Sequence, residues 1–278
     1  MKQDEANHKI SGSLKKDVRV KAVYLKGSVG RGEYDEFSDL DLYCLVDESD
    51  EAAFHAQRLM HLEAYRKVIF FEEVYIIAPQ IIAVFDNLLH VDLFTVTETN
   101  FKEKDYFKVL FDPEERLTQF LPTQNLQLTD EQFEQCSYNV AWYLFQYNKA
   151  RLRKNDLWAV DMLQQVLTNL SKVLLHRYYP ARAELGLKAL TKLLPKNKSN
   201  HMETIYNHVT PDSHKKAADY INNLLTQELD WIDSTLKEND QSTGFLKMMI
   251  QLLNKPEKEV RNFNISGGNI YDFLSRTP

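Results

Sequence analysis

Two aspartates one residue apart, Asp39 and Asp41, lie in the stretch Gly27–Val46, "GSVGRGEYDEFSDLDLYCLV", which follows the apolar run "VKAVYLK". On an extended strand, residues i and i+2 project from one face. Both carboxylates therefore point one way, and Leu40 and Leu42 point into the interior. Like charges placed so closely raise each other's pKa unless a cation neutralises them. Mg²⁺ suits the pair, because it takes oxygen ligands in octahedral geometry and bridges carboxylates to phosphates. The small-residue turn ahead of the pair supplies the complementary half. Gly27 lets backbone amides approach a ligand closely, the Ser28 hydroxyl can donate to a phosphate oxygen, and a following helix would aim its N-terminus there. Ser38 and Arg31 complete the candidate nucleotide-binding set. Arg31 is the only basic residue between positions 28 and 50, and it could meet a phosphate or simply pair with Glu33 or Asp35.

A third carboxylate stands at Asp92 in "HVDLF". An unpaired acid in mid-strand is costly to bury. Alternation puts His90, Asp92 and Phe94 on one face, with Val91 and Leu93 on the other. If that strand lies beside the Asp39–Asp41 strand, three acids converge. His90 reads as a neighbour rather than a ligand, since hard-oxygen Mg²⁺ sites rarely recruit imidazole. Each residue also has a plainer reading: a solvated strand end for the acid pair, an ordinary turn for Gly27 and Ser28, a water-facing edge for Asp92.

The elements that must hold these residues are short and mixed over the first half. "RVKAVYLKG" (19–27) and "DLDLYCLV" (39–46) read as strands. "DEAAFHAQRLMHLEAYRKV" reads as one helix with Ala52, Ala56, Leu59 and Leu62 on its apolar side and Ser49 or Asp50 as its cap. "IFFEEVYIIA" is a further strand, and "IIAVF" and "LLHVDLFTV" read either as a hairpin across the dipeptide at 86–87 or as a strand edge with a longer loop. Strand signals fade after "FDPEE", and residues 113–128 read as a linker. Three long helices follow. Their apolar faces carry Val140, Leu144 and Tyr147; then Val160, Leu163, Leu167, Leu170 and Leu174, stopped by Pro180; then Ile221, Leu225, Leu229, Ile232 and Leu236. The expected architecture is α+β: a small α/β domain with a mixed sheet over 1–112, and an all-helical bundle over 129–278.

Composition narrows the partners. The chain has 278 residues, 44% of them hydrophobic, and a formal net charge of −6 without a Lys/Arg run. Duplex DNA normally demands a basic footprint, so no nucleic-acid partner is expected. A small cationic substrate or a metal-neutralised nucleotide fits the charge. Cys44 and Cys136 match no metal-ligand spacing. The N-terminus lacks an apolar core, and "VYIIAPQIIAVF" is too short to span a bilayer, so a soluble cytoplasmic protein with no membrane partner is expected.

The motif "GSVGRGEYDEFSDLDL" resembles the signature of the polymerase-beta-like nucleotidyltransferase superfamily: Gly-Ser, a short spacer, then Asp-x-Asp. It is most similar to the antibiotic-modifying and minimal nucleotidyltransferases, and the helical half is similar in style to the C-terminal bundles of aminoglycoside and lincosamide adenylyltransferases. The resemblance implies a nucleoside triphosphate donor such as ATP, two Mg²⁺ ions held by Asp39, Asp41 and Asp92, and in-line attack of a small-molecule hydroxyl on the α-phosphate. In it, Ser28 holds the outgoing phosphates, and Asp92 takes the catalytic metal or acts as general base. Two departures stand out. Lys26 precedes Gly27 where relatives usually carry an apolar or aromatic residue, and the third acid is Asp where several relatives have Glu. Two rival functions are a protein-modifying, antitoxin-like nucleotidyltransferase and a non-catalytic nucleotide-binding module. The long helical half argues against the first, and the intact acid pair against the second.

Overall fold

In a computed structural model, residues 1–76, 78–101, 104–236 and 241–261 are described. The chain forms two units, Met1–Asn125 and Leu126–Pro278. The first has the order α1 (Lys2–Leu14), β1 (Val20–Leu25), α2 (Gly27–Arg31), β2 (Leu40–Val46), α3 (Glu51–His55), α4 (Arg58–Glu63), β3 (Val68–Tyr75), β4 (Pro79–Phe85), β5 (His90–Val96) and β6 (Lys108–Phe111). The strands make one mixed sheet in the order β3-β4-β5-β2-β1-β6. Only β2 and β5 run parallel; the other neighbours are antiparallel.

Alternation along the central strands divides the core in two. Leu40, Leu42 and Cys44 on β2, with Val91 and Leu93 on β5, bury against Ala6, Ile10 and Leu14 of α1, Phe54 of α3 and Leu62 of α4. The opposite face stacks aromatic rings, Tyr24 on Tyr43 at 5.1 Å and Tyr43 on Phe94 at 4.2 Å. Leu117 and Phe120, inside the stretch expected to be a linker, pack into this second layer.

Four local expectations are corrected. The segment read as one helix is two, α3 and α4, broken where Gln57 leaves helical geometry (φ −118°, ψ 0°). Its apolar phase differs too: Ala52 and Ala56 are exposed, and the buried positions are Phe54, Arg58, His61 and Leu62. Neither Ser49 nor Asp50 caps it through a side chain; Glu48–Asp50 is a 3₁₀ turn instead. The β4–β5 hairpin is present, but its turn extends to Leu88, which takes a left-handed φ of 58°. The Asn87 side chain steadies it by accepting a bond from the Leu89 N–H.

The second unit is helical: α5 (Asp130–Leu152), α6 (Asp156–Tyr178), α7 (Leu187–Leu193), α8 (Lys196–Tyr206), α9 (His214–Thr235), α10 (Gln241–Leu253) and α11 (Glu257–Arg261). A capping box between Thr129 and Gln132 starts α5, and the Asn155 side chain caps α6, each satisfying amides that the helix itself cannot. Leu163, Leu167, Leu170, Leu174, Ile221 and Leu225 are fully buried within one apolar cluster. Among the described residues no helix is long and apolar enough to cross a membrane.

Candidate active site

Parallel pairing of β2 with β5 sets Asp41 directly opposite Asp92, so the two carboxylates share the sheet face that carries Tyr43 and Phe94. Asp39 lies one residue ahead of β2. Ligand atoms of Asp39, His90 and Asp92 lie within 4.8 Å of one another. Asp92 is held rigidly: its Oδ1 accepts from Gln80 Nε2 at 2.8 Å and lies 3.0 Å from His90 Nε2. His90, expected to be a bystander, is thus part of the cluster. Its bond to Asp92 raises its pKa, against the opposing effect of burial.

Asp41 turns its carboxylate toward the start of α2. Gly27 has φ +61°, and a Cβ there would collide with Asp41 Oδ2. The backbone ties the two as well, since the Lys26 N–H donates to the Asp41 carbonyl at 3.1 Å. Burial, followed by the charges of Asp39, Asp92 and Asp105, pushes the Asp41 carboxyl up to about 7. Asp105 is paired with Arg31, but Asp39, Asp41 and Asp92 with this mutual repulsion fit a divalent cation, which would remove the repulsion and draw the proton off Asp41. All are hard oxygen donors of the kind Mg²⁺ takes.

Ser28 sits in the first turn of α2, half-buried, and its hydroxyl makes no hydrogen bond among the described residues. "GSVGR" is itself this one-turn helix rather than a turn ahead of another, and Gly32 closes it in the left-handed conformation (φ 72°).

A family model described as "Nucleotidyltransferase domain" matches residues 8–121. The match lies within the first unit and covers less than half of the chain. No curated protein matches the chain. Among solved structures, an aminoglycoside 6-adenyltransferase from Bacillus subtilis is similar at 15% identity, with a TM-score of 0.40 over 92% of this chain and 99% of that one. A nucleotidyltransferase-like protein from Exiguobacterium sibiricum 255-15 is similar at 13% identity, with a TM-score of 0.30 over 95% and 96%.

Within the matched segment the remaining candidates have protein partners. Arg31 donates to Glu33 at 3.0 Å and to Asp105 at 3.2 Å. The Ser38 hydroxyl closes the loop before β2, accepting from the Asp35 N–H at 3.0 Å and donating to the Asp35 carboxylate at 3.2 Å. Lys26, the unusual residue before Gly27, is buried with its ammonium over the Tyr43 and Phe101 rings at 5.3 and 5.2 Å. It also donates to the Lys104 carbonyl at 3.0 Å. Gln80 and Asp105 belong to the site's surroundings and escaped the sequence reading. Gln80 could have been found from hairpin register, which aims it at the Asp92 face; Asp105 carries no periodic signal.

In the helical unit, the basic end of α5 is engaged locally. Arg151 is buried and donates to Asn148 at 2.7 Å, Lys149 lies over Phe145, and Arg153 lies over Trp158. Asp156, in the first turn of α6, lies 3.1 Å from His214 Nε2.

Proposed function

We propose that the chain is a Mg²⁺-dependent nucleotidyltransferase that moves AMP from ATP onto a hydroxyl of a small, amine-bearing molecule of the aminoglycoside kind. The observation that supports the reading is the cluster of Asp39, His90 and Asp92, with Asp41 in register opposite Asp92 and its carboxylate against Gly27. In the reaction an acceptor oxygen bonds to the α-phosphorus, the bond to the bridging oxygen breaks, and pyrophosphate leaves. Bound Mg²⁺ would supply charge neutralisation at the triphosphate and the attacking oxygen. Asp39, Asp41 and Asp92 would hold it. Gln80 and His90 occupy Asp92 Oδ1, which leaves Oδ2 to serve metal or to take the acceptor's proton. The free Ser28 hydroxyl donates to a phosphate oxygen. Gly27 keeps the space in front of Asp41 clear. The acidic balance of the chain favours a cationic acceptor.

The test is incubation with labelled ATP, Mg²⁺ and a panel of aminoglycosides and lincosamides. Label on an acceptor, lost in Asp39→Asn and Asp41→Asn, is expected. ATP binding without transfer to any member would remove the antibiotic acceptor, and undiminished transfer by Asp41→Asn would remove the metal assignment.

A further inference from the structure

The sheet registers extend the row of acids beyond the metal-binding strands. Glu72 on β3 pairs with Ile82 on β4, Ile82 with Asp92 on β5, and Asp92 with Asp41 on β2. The next row runs Phe70, Val84, His90. Residues directly opposite across a sheet share a face, so Glu72 and Phe70 look out on the same side as the three acids. Two strand spacings put Glu72 about 10 Å from Asp92. β3 is the edge strand; Phe70 is 52% exposed, Glu72 is exposed, and Ile82 and Val84 are half-buried.

The two glutamates of "FFEEVY" differ in a telling way. Glu73 points to the opposite face, where it pairs with the buried Arg58 at 3.1 Å. Glu72 has no ion pair or hydrogen bond among the described residues. A carboxylate left bare on the reactive face, beside an apolar floor, is complementary to a cation carried on a partly apolar ring.

We propose that this face of β3 and β4 seats the acceptor, with Glu72 pairing to an ammonium group and Phe70, Ile82 and Val84 supporting the ring that bears it. The inference rests on the nucleotidyl-transfer reading and adds the residue that makes the acceptor cationic. The amine recognised by Glu72 lies roughly two strand spacings from the hydroxyl that is modified. Glu72 is a specificity residue rather than a catalytic one, being too far away to touch the reacting atoms.

The experiment uses the full chain with Mg²⁺ and a non-hydrolysable ATP analogue, titrated calorimetrically with an aminoglycoside and with a derivative whose amines are replaced by hydroxyls. Variants are Glu72→Gln and Glu72→Lys, with Glu73→Gln as the neighbour control. Glu72→Gln is expected to weaken aminoglycoside binding, and raise its KM, roughly three- to tenfold. Glu72→Lys should weaken it further. Nucleotide affinity and kcat at saturating acceptor should stay as in the wild type, and Glu73→Gln should leave acceptor affinity unchanged. The wild type should prefer the amine over the hydroxyl derivative. Unaltered aminoglycoside affinity in both Glu72 variants, equal affinity for the hydroxyl derivative, or no aminoglycoside binding by the wild type would each overturn the inference. Failure of the underlying reading shows elsewhere, as loss of Mg²⁺-dependent binding of the ATP analogue alone.

Discussion

Ionising a carboxyl group that is buried among other carboxylates costs free energy that the unfolded chain does not spend. Asp41 is in that position: its pKa rises from an ordinary 3.8 to about 7. A group raised in this way contributes its stability below pH 4 and loses it as pH climbs through 7. The metal-free protein should therefore melt at a lower temperature at pH 8 than at pH 5. Asp41→Asn should recover part of that loss, at most about 4 kcal/mol at 1.4 kcal/mol per pH unit. Mg²⁺ should raise the melting temperature of the wild type at pH 8 and do little for the variant. Melts with chelator and with Mg²⁺ check both halves; equal responses would show that Asp41 does not face the cation. Gly27 gives a steric counterpart. Gly27→Ala puts a methyl against Asp41 Oδ2 at a positive φ. It should cost about 1–2 kcal/mol of stability and at least a hundredfold in transfer rate, measured by denaturant titration and label transfer.

The site depends on elements that contact it only indirectly. Gln3 of α1 is fully buried, and its amide reaches the carbonyls of Asp35, Glu36 and Ser38 at 3.1, 3.2 and 2.8 Å. One side chain thus fixes the loop that delivers Asp39. Gln3→Ala should raise the Mg²⁺ concentration needed for half-maximal activity several-fold while costing about 1–3 kcal/mol of stability; a Mg²⁺ titration of activity would show an unchanged midpoint if the loop holds without it. A second clamp joins the end of α1 to α4, where Asp17 accepts from Arg19 and lies 3.1 Å from His61 Nε2. The Arg19 bonds hold its carboxyl near 2, below the usual 3.8. That stability is present above pH 4 and fades as pH falls toward 2. Asp17→Asn should cost about 1–2 kcal/mol at pH 7 and much less near pH 2, read from denaturant midpoints at the two pH values. The acid pair and its strand were legible in the sequence because a period of two and a Gly-Ser turn are strong local signals. Helix α1 was not, since Ala6, Ile10 and Leu14 are sparse apolar residues in a polar stretch. Strand β6 has four residues and a largely exposed pattern, too short for any period to register. The phase of α3 and α4 was missed because half of their buried positions, Arg58 and His61, are polar and owe their burial to tertiary partners. Alternation places His90 beside Asp92, and only the preference of Mg²⁺ for oxygen speaks against it as a ligand.

At the scale of the whole molecule, each apolar cluster among the described residues draws its members from one unit. Both sheet layers draw every member from residues 6–120, and the helical cluster draws every member from 128–260. A segment with its own core can fold alone. The first unit is also closed at its end, since the Asp105 N–H donates to the carbonyl of Asn125, its last residue, at 3.0 Å. The site acids, Gly27, Ser28 and the Gln3 and Asp17 clamps all lie inside it. Residues 1–125 expressed alone should therefore unfold cooperatively, with a heat-capacity change and m-value suited to that length, and its melting temperature at pH 8 should still rise with Mg²⁺. Calorimetry on the fragment and on the full chain tests this directly. A fragment that melts without a cooperative transition would mean that the sheet layers need the helical unit to complete their burial. A fragment that folds but ignores Mg²⁺ would mean that the acids near Asp41 do not by themselves make a cation site.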